Sequence, residues 1–346
     1  MARRPRDSSW EPRASPSEGE LAALRHARDV IVGHATSSQL EHALSAVPRP
    51  ELRRDLERFA RRLRRRDDGP WFDARVVWNL AEMEAPPWLP FARSLDMWRC
   101  RELDALMAWF TSLEALRDLR RLRLDECDLS DAAIAVLGAS GAFPRLHTLT
   151  LNHNFSPWRR CSGATLSRLF APRWMGALRS LDLSGNSLSL DAFEALSRCH
   201  SLRHLRSLRL ALTSLGADAM RALTRRASWP DLTSLELGDS ERASESLPVL
   251  FESRLVERLT HLSLSASRLD ASHLEPLVSA LPRMRTLVGL DLSENPIGDV
   301  GAESLAAATM PPTLRRLSLH ACALSSLGFE RIAAAPWAEG LEAPFA

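Results

Sequence analysis

The side chains best suited to metal binding lie in one short segment, CHSLRH, at 199–204. It holds Cys199, His200 and His204, and the two histidines are four residues apart. Zinc is usually held by four such ligands, and no acidic residue lies nearby in the sequence to serve as another. The segment fits equally well as the junction between a helix and the element that follows it. We therefore predict no metal site here.

Two carboxylates are candidates for acid–base catalysis, Asp182 in LDLSGN and Asp291 in LDLSEN. Both occupy the same place in a recurring phrase, which is more typical of repetition than of a catalytic pair. A phosphate-binding loop ending in Gly-Lys is impossible because the chain contains no lysine, and no G-x-S-x-G nucleophile segment occurs. The sequence therefore predicts a non-enzymatic protein with no catalytic residues, no cofactor and no small-molecule substrate.

Nine arginines fall between Arg49 and Arg66. One interpretation is a helix that contacts RNA or DNA. The other is a solvated helix face on which Arg53–Glu57 and Glu57–Arg61 pair at helical spacing. All 45 basic residues of the chain are arginine, and this inflates every such cluster. Nucleic-acid association through this helix stays as an alternative function.

A second unusual segment, at 155–175, carries Trp158, Arg159, Arg160 and Trp174. Tryptophan and arginine are enriched at the energetic centres of protein interfaces. The segment is therefore a candidate partner-binding loop. The alternative is that a tryptophan folds back onto the flank of the protein.

Composition limits the class of protein. The chain has 346 residues, with 45 basic and 43 acidic side chains and a net charge of +2, which argues against a global polyelectrolyte. The N-terminus lacks a secretory signal, and no apolar run is long enough to span a membrane. Five cysteines without C-x-x-C spacing favour a reducing cytoplasm. The absence of lysine and tyrosine is typical of a GC-rich, bacterial genome.

Self-similarity explains most of the chain. LRSLDLSGNSL at Leu178 and LVGLDLSENPI at Leu287 share the frame L-x-x-L-x-L-x-x-N-x-L. With the first leucine as position 1, position 4 is Leu in all nine frames and position 6 is Leu or Met97. The frames lie 27 or 28 residues apart, with one step of 32, and they begin at Ala92, Leu119, Leu146, Leu178, Leu205, Leu232, Leu259, Leu287 and Leu314.

Two further positions support the frame. Apolar pairs at positions 16 and 19, such as Phe193/Leu196 and Phe329/Ile332, lie on one face of a helix. In the 32-residue step the pair is Leu166/Leu169, so the extra residues precede that helix. Position 9 carries small side chains that can donate inward to buried turn carbonyls: Cys100, Cys127, Asn154, Asn186, Thr213, Ser240, Ser267, Asn295 and Cys322.

Each unit is predicted to be a short strand, a turn at position 9 and a returning helix. One unit cannot bury its own apolar edge, but stacked units form a continuous core. The chain resembles leucine-rich repeat proteins, most closely the ribonuclease-inhibitor-like class, over 92–335. The resemblance implies an α/β fold, a right-handed βα solenoid or horseshoe of about nine 27–28-residue repeats with a helical N-terminal cap. Because some members of this class regulate small GTPases, that function is a further alternative.

The predicted organisation has four parts. Residues 1–18 form a disordered tail, 19–91 a helical N-terminal cap region, 92–335 the solenoid, and 336–346 a short C-terminal tail or cap. In the cap, an apolar stripe at helical spacing predicts a helix, and an irregular strand is expected at 71–88 with tryptophans covering the first repeat. These residues are Leu52, Leu56, Phe59 and Leu63 for the stripe, Ala74, Val76 and Asn79 for the strand, and Trp71, Trp78 and Trp88 for the cover; Trp337 and Phe345 are the large apolar groups of the C-terminal segment.

Since strand side chains alternate, positions 3, 5 and 7 are predicted to face away from the core. Nine strands ~4.8 Å apart span about 40 Å, which suits a protein surface or extended peptide. Acidic residues at position 5, including Asp96, disfavour nucleic acid there. The predicted partner-binding residues, on this face and in the 155–175 insertion, are Trp98, Arg121, Arg123, Asp125, Trp158, Arg159, Arg160, Asp182, Arg209, Glu236, His261, Asp291, Arg316 and His320.

Overall fold

The computed structural model describes residues 15–32, 37–47, 49–65, 72–75, 85, 87, 89–155, 161–170, 176–225, 229–239 and 242–342. Three helices come first, and strands then alternate with helices. In chain order the elements are α1 (Glu18–Val32), α2 (Ser37–Ser45), α3 (Pro50–Arg65), β1 (Phe72–Arg75), β2 (Ala92–Trp98), α4 (Glu102–Ser112), β3 (Arg121–Asp125), α5 (Asp131–Ala139), β4 (Thr148–Thr150), α6 (Gly163–Phe170), β5 (Ser180–Asp182), α7 (Leu190–Arg198), β6 (Ser207–Arg209), α8 (Ala217–Thr224), β7 (Ser234–Glu236), α9 (Ala243–Glu252), β8 (His261–Ser263), α10 (Glu275–Ala280), β9 (Gly289–Asp291), α11 (Gly298–Ala306), β10 (Arg316–Ser318) and α12 (Ser326–Ala333).

The strands form one parallel sheet in which chain order and spatial order agree, from β1 to β10. Each repeat pairs with the next in the register of the frame, so that position 4 lies opposite position 4, as Leu95 does with Leu122 and Leu290 with Leu317. Neighbouring helices pack on one another along the sheet. The α/β solenoid predicted from the repeats is therefore confirmed.

Stacking buries the leucines that define the frame. The side chains at positions 4 and 6 are at most 3% exposed in every repeat, and the helical pairs meet them in one continuous core. The exception is Phe329, which is 38% exposed although its counterparts in other repeats are buried. It lies on α12, the last helix of the row, and no described helix packs over that face.

The position-9 side chains act as predicted, and they also join repeats to each other. Asn154, Asn186 and Asn295 each donate Nδ2 to the position-6 carbonyl of the preceding repeat, at 2.6, 2.8 and 2.9 Å. Cys322 donates to Leu292 O in the same way, at 3.1 Å. Thr213 instead bonds within its own repeat. Asparagine and cysteine at position 9 therefore bridge neighbouring repeats, whereas Thr213 does not. Ser240 lies outside the described residues.

The turn before position 9 has a fixed backbone conformation. Position 8 is left-handed in all nine repeats, with φ between +53° and +69°. Only one of these residues is glycine, Gly185, and the others include Arg99, Glu126 and Leu212. A left-handed residue with a side chain is destabilised by roughly 1–2 kcal/mol. The repeat tolerates this strain because the left-handed residue turns the chain out of the strand and brings position 9 to the ladder.

The N-terminal cap consists of α1, α2 and α3, with Leu52, Leu56 and Phe59 of the predicted stripe buried. Strand β1 then pairs with β2 and places Ala74 opposite Leu95, as position 4 requires. The side chain of Leu63 lies outside the described residues, as do Val76, Asn79 and the three tryptophans predicted to cover the first repeat.

The five-residue insertion lies where the frame places it. Helix α6 begins at Gly163, late in its repeat, and Leu166 and Leu169 are fully buried. At the far end of the chain, Trp337 donates Nε1 to Ala306 O at 3.3 Å. The amide of Glu342 donates to Arg315 O at 2.8 Å, where a following strand would pair. Phe345 lies outside the described residues.

Asn186→Ala tests the ladder. Asn186 is fully buried, donates to the carbonyls of Leu151 and Leu183, and accepts from the amides of Asn154 and Phe155. Because each buried backbone group left unpaired costs roughly 1–3 kcal/mol, we expect the free energy of unfolding to fall by at least about 3 kcal/mol in urea denaturation.

The matched variant is Thr213→Val, which removes a single bond, the 2.6 Å donation to Leu210 O. Its expected loss is about 1 kcal/mol. Equal losses in Asn186→Ala and Thr213→Val would contradict a ladder in which asparagine links two repeats.

Leu212→Gly tests the left-handed turn. Leu212 has φ +56° and its side chain is 45% exposed, so glycine relieves backbone strain with little loss of packing. After the entropy of glycine is subtracted, we expect a gain of about 0.5–1 kcal/mol in the free energy of unfolding. The reverse change, Gly185→Ala, should destabilise, since φ is +69° and the new Cβ would lie 2.2 Å from His153 Cε1. A destabilised Leu212→Gly protein would contradict strain at position 8.

Candidate functional site

The concave face is here the face of the sheet that the helices leave uncovered, formed by positions 3, 5 and 7. The repeat places its side chains in straight rows, because residues at the same position lie opposite each other on neighbouring strands, as Arg123 and Asp96 do. The rows are rich in serine and carry both signs of charge. What the face can do therefore depends on which charges meet across the strands.

In the first group, Arg123 on β3 contacts carboxylates on two strands. Its Nε donates to Asp125, and its Nη1 lies 3.9 Å from Oδ2 of Asp96 on β2. The Arg123 side chain is about half exposed, whereas Asp125 is 4% exposed. Burial raises the pKa of Asp125, and the adjacent guanidinium opposes that rise.

In the second group, Arg209 on β6 lies between β5 and β7. Its Nε is 3.0 Å from Oε2 of Glu236, and its Nη1 is 3.9 Å from Oδ2 of Asp182. Asp182 is 8% exposed and accepts from Asn152 Nδ2 at 3.3 Å. The backbone amide of Asn152 donates to Asp125 Oδ1 at 3.2 Å, so Asn152 joins the two charged groups into one network.

The burial of two carboxylates differs from what the alternation of strand side chains predicts. Asp125 and Asp182 were expected as exposed face residues, but both are buried. The long side chains of Arg123 and Arg209 lie over them, and one oxygen of each carboxylate accepts a hydrogen bond from a backbone amide. A partner would therefore meet the guanidinium groups first.

At the N-terminal end, Trp98 is 57% exposed and its ring is not free to move alone. Its Nε1 donates to Glu126 Oε1 at 3.0 Å, and the Arg99 guanidinium lies 4.2 Å from the ring centroid. Arg99 Nε also donates to Glu126 Oε2 at 2.7 Å. Hydrogen bonds from Trp98 and Arg99 lower the pKa of Glu126. Trp98 therefore presents an exposed aromatic ring whose orientation these contacts fix.

At the C-terminal end, Arg316 reaches over β9 to His261. Its Nη2 lies 2.7 Å from His261 Nε2, while Thr260 Oγ1 is 2.9 Å from Nδ1. Gly289 permits this, because a Cβ there would approach His261 Cδ2 to 2.9 Å. Asp291 accepts from Ser263 Oγ and from the Ser293 amide.

The remaining predicted residues do not all join these groups. Arg121 is exposed at position 3 of β3, and His320 is exposed beside β10. Trp158, Arg159, Arg160 and Trp174 lie outside the described residues. The structure thus brings together the charged residues of β2 to β7 and, separately, the His261–Arg316 pair.

In the Arg49–Arg66 segment, three arginines make bonds within the cap. Arg49 pairs with Glu20 at 2.7 Å, Arg53 donates to Val47 O, and Arg58 pairs with the buried Asp55. The side chains beyond residue 60 in α3 lie outside the described residues. Nucleic-acid contact by this helix stays a prediction.

The residues considered as metal ligands form separate hydrogen bonds and do not share a site. Cys199 Sγ donates to Phe170 O at 3.4 Å, and His204 Nδ1 lies 2.9 Å from Asp231 Oδ2. In the described part of the chain no three His, Cys, Asp or Glu side chains converge as a metal site would require. Among the ladder cysteines, Cys100 and burial raise the pKa of Cys127, which disfavours a nucleophilic thiolate.

Sequence reasoning missed Arg99 and Glu126 and left Asp96 out of the predicted binding residues. The signal was present, because Arg99 and Glu126 are 27 residues apart and therefore adjacent at position 8.

None of the helices in the described ranges is long and apolar enough to cross a membrane.

Two segments of the sequence match family models described as leucine-rich repeat, at residues 177–199 and 283–306. Both coincide with frames defined above, those of Leu178 and Leu287. No curated protein sequence matches the chain.

Solved structures with a similar fold include a Bacteroides fragilis protein, with a TM-score of 0.53 and 16% identity over 76% of this chain and 78% of that one. Rad7 and Elc1 in a complex from yeast give a TM-score of 0.47 and 14% identity, over 93% and 75% of the two chains. An internalin from Listeria monocytogenes gives 0.35 and 16%, over 74% and 82%. At such identities the first of these shows the fold alone.

His261→Gln tests the C-terminal pair by pH. Burial and the charge of Arg316 lower the pKa of His261 below its ordinary value. The unfolded chain therefore binds this proton more readily, so stability is complete above about pH 6.5 and falls as the pH drops through the lowered pKa. We expect the urea midpoint to decrease from about pH 7.5 to about pH 5.5, and to decrease less in His261→Gln, which keeps an acceptor for Arg316. His320→Gln serves as the control and should retain the full decrease; identical pH profiles for all three proteins would exclude His261 as the cause.

Proposed function

Since this chain is a leucine-rich repeat protein, we propose that it is a non-enzymatic scaffold that binds a partner protein or extended peptide on its concave face and at the 155–175 insertion. The two segments that match leucine-rich repeat models support an interaction role. Cysteines held as free thiols fit a reducing cytoplasm as its place of action.

The observation that carries the proposal is the pairing of half-exposed arginines with carboxylates of neighbouring strands. Arg123 and Arg209 keep 49% and 53% of their side chains exposed while bonded. An exposed ion pair such as Arg209–Glu236 contributes only about 0–1 kcal/mol, so a carboxylate of the partner can replace Glu236 at little loss while Asp125 and Asp182 stay buried. Selectivity would then come from charge complementarity, with modest affinity.

The dimensions of the face also suit a macromolecule. Ten strands ~4.8 Å apart make a surface of more than about 40 Å, far longer than a metabolite site. Its rows are polar and shallow, and Trp98 is the exposed aromatic group of the described strands. A partner would use backbone and polar side chains along several repeats, with Trp98 as an anchor at one end.

The insertion adds a second part to the proposed surface. It leaves the described structure after Phe155 and returns at Cys161, which pairs with Leu188 of the next repeat. Both ends therefore lie at the edge where the strands finish, beside the concave face. Trp158, Arg159 and Arg160 belong to the insertion and have the residue types of interface centres.

Arg123→Gln with Arg209→Gln tests the face. Removing both guanidinium groups deletes the exposed charges and leaves a shorter, uncharged side chain that can still form hydrogen bonds. We expect specific capture of a partner from cell lysate, read by quantitative mass spectrometry, to fall about tenfold or more, which corresponds to about 1.4 kcal/mol.

The control is Arg198→Gln with Arg221→Gln, which removes two arginines of α7 and α8 that pair within their own helices. It should capture as the unmodified chain does. Capture that survives both the Arg123/Arg209 change and Trp158→Ala would remove the concave face and the insertion as the binding surface.

A further inference from the structure

The two edges of the sheet carry opposite charge. The basic rim is defined as the seven residues that lead into each repeat strand, ending at position 2. Among the described residues it holds twelve arginines and four carboxylates, with Glu114, Asp118, Asp231 and Glu257 as the acids and Arg93, Arg117, Arg120, Arg145, Arg179, Arg203, Arg206, Arg254, Arg258, Arg283, Arg285 and Arg315 as the bases.

The acidic rim is the opposite edge, the seven residues at positions 8 to 14 that lead from each strand into its helix. There the described residues give the reverse count, twelve carboxylates and four arginines. They are Glu102, Asp104, Glu126, Asp128, Asp131, Asp191, Asp218, Asp239, Glu245, Asp270, Glu294 and Asp299, with Arg99, Arg101, Arg242 and Arg268. The net charge of +2 conceals this separation.

Part of the separation stabilises the fold. Helices of the repeats begin near the acidic rim and end near the basic rim, and each end favours the charge found there. Some rim arginines also bond turn carbonyls, as Arg179 does to Ala177 O and Leu178 O at 3.1 Å, and Arg315 does to Leu314 O at 2.8 Å. This accounts for the sign of the rims but not for the rim arginines that bond no backbone carbonyl.

The first five repeats hold seven of the twelve rim arginines, from Arg93 to Arg206, beside two of the four acids. Arg117, Arg203 and Arg206 are exposed and donate to no backbone carbonyl among the bonds found. His147 and His204 lie between them. Five strands ~4.8 Å apart make this stretch about 20 Å long.

We propose that the basic rim between Arg93 and Arg206 binds an acidic segment of a partner polypeptide. Arginine is suited to this, because its planar guanidinium bonds a carboxylate with two parallel hydrogen bonds. An extended chain rises about 3.3 Å per residue, so about six residues cover the stretch. Side chains on one side of such a segment recur about every 6.6 Å, so about three aspartates or glutamates face the arginines of the five repeats.

Two observations favour a polypeptide over nucleic acid. Single-stranded nucleic acids are held by exposed aromatic side chains as well as by charge, and the described rim aromatics, Phe91, Phe143 and Trp229, are all buried. A duplex is wide enough to reach past the rim over the carboxylates of the concave face, Asp96 among them. A narrow acidic chain that runs along the rim avoids both difficulties.

The surface is separate from the one proposed above, because no rim arginine of this stretch belongs to positions 3, 5 or 7. Its test needs no knowledge of the physiological partner. The probe is a fluorescein-labelled octaglutamate peptide, titrated with the full chain and read by fluorescence anisotropy. An oligothymidylate of similar length and a serine-glycine peptide are measured in parallel.

The rim variant is Arg117→Glu with Arg203→Glu and Arg206→Glu. We expect the unmodified chain to bind octaglutamate at about 50 mM salt, to bind several-fold more weakly at about 200 mM, and to lose at least about tenfold in affinity in the rim variant. The control is Arg101→Glu with Arg221→Glu and Arg331→Glu, which makes the same change in net charge away from the rim. It should bind within about twofold of the unmodified chain.

Thermal midpoints of both variants are measured first, and agreement with the unmodified chain shows that folding is retained. Three results would overturn the proposal: no binding of octaglutamate by the unmodified chain at low salt, equal losses in the rim and control variants, or tighter binding of oligothymidylate that the rim variant abolishes. The last would assign the rim to nucleic acid instead. Should the rim variant unfold, Arg206→Gln alone gives the same comparison against Arg221→Gln.

Discussion

Every repeat of this protein ends its strand with the same turn, and that turn cannot satisfy its own backbone. The left-handed residue at position 8 directs carbonyls and amides into the interior, where water cannot reach them. Asn186 meets this demand by accepting from two amides of the preceding repeat and donating to carbonyls of both repeats. A single repeat would leave these groups unpaired, so the fold exists only as a stack.

The ladder also fixes the surface. Because buried asparagines and leucines hold neighbouring strands in one register, each exposed position becomes a row whose spacing is that of the sheet. Oppositely charged side chains at position 5 of neighbouring strands therefore pair whether or not a partner is present, as Arg209 and Glu236 do. The concave face is therefore largely neutralised by itself. The binding proposed for this face would be an exchange of ion pairs, which favours selectivity over strength.

Periodicity made the fold predictable, and its limits follow from the same cause. Spacing alone placed Leu166 and Leu169 in a helix that begins late, and it placed Ala74 opposite Leu95. It did not predict the burial of Asp125 and Asp182, because that depends on how the long side chains of Arg123, on the same strand as Asp125, and of Arg209, on the strand beside Asp182, lie over them. Nor did it predict the left-handed turn, since position 8 shows Arg, Glu, Leu and other types in place of the glycine that usually marks such a conformation.

The separation of charge shows a further consequence of repetition. A small excess of one charge at one position of a single repeat has little effect, but nine repeats side by side align it into a continuous charged edge. The two rims lie at opposite ends of the strands and their loops, farther apart than the ~8–10 Å over which salt screens a charge. A ligand at one rim therefore responds to that rim and scarcely to the other. Net charge describes the molecule as a whole, whereas a partner at one edge would encounter the local field of that edge.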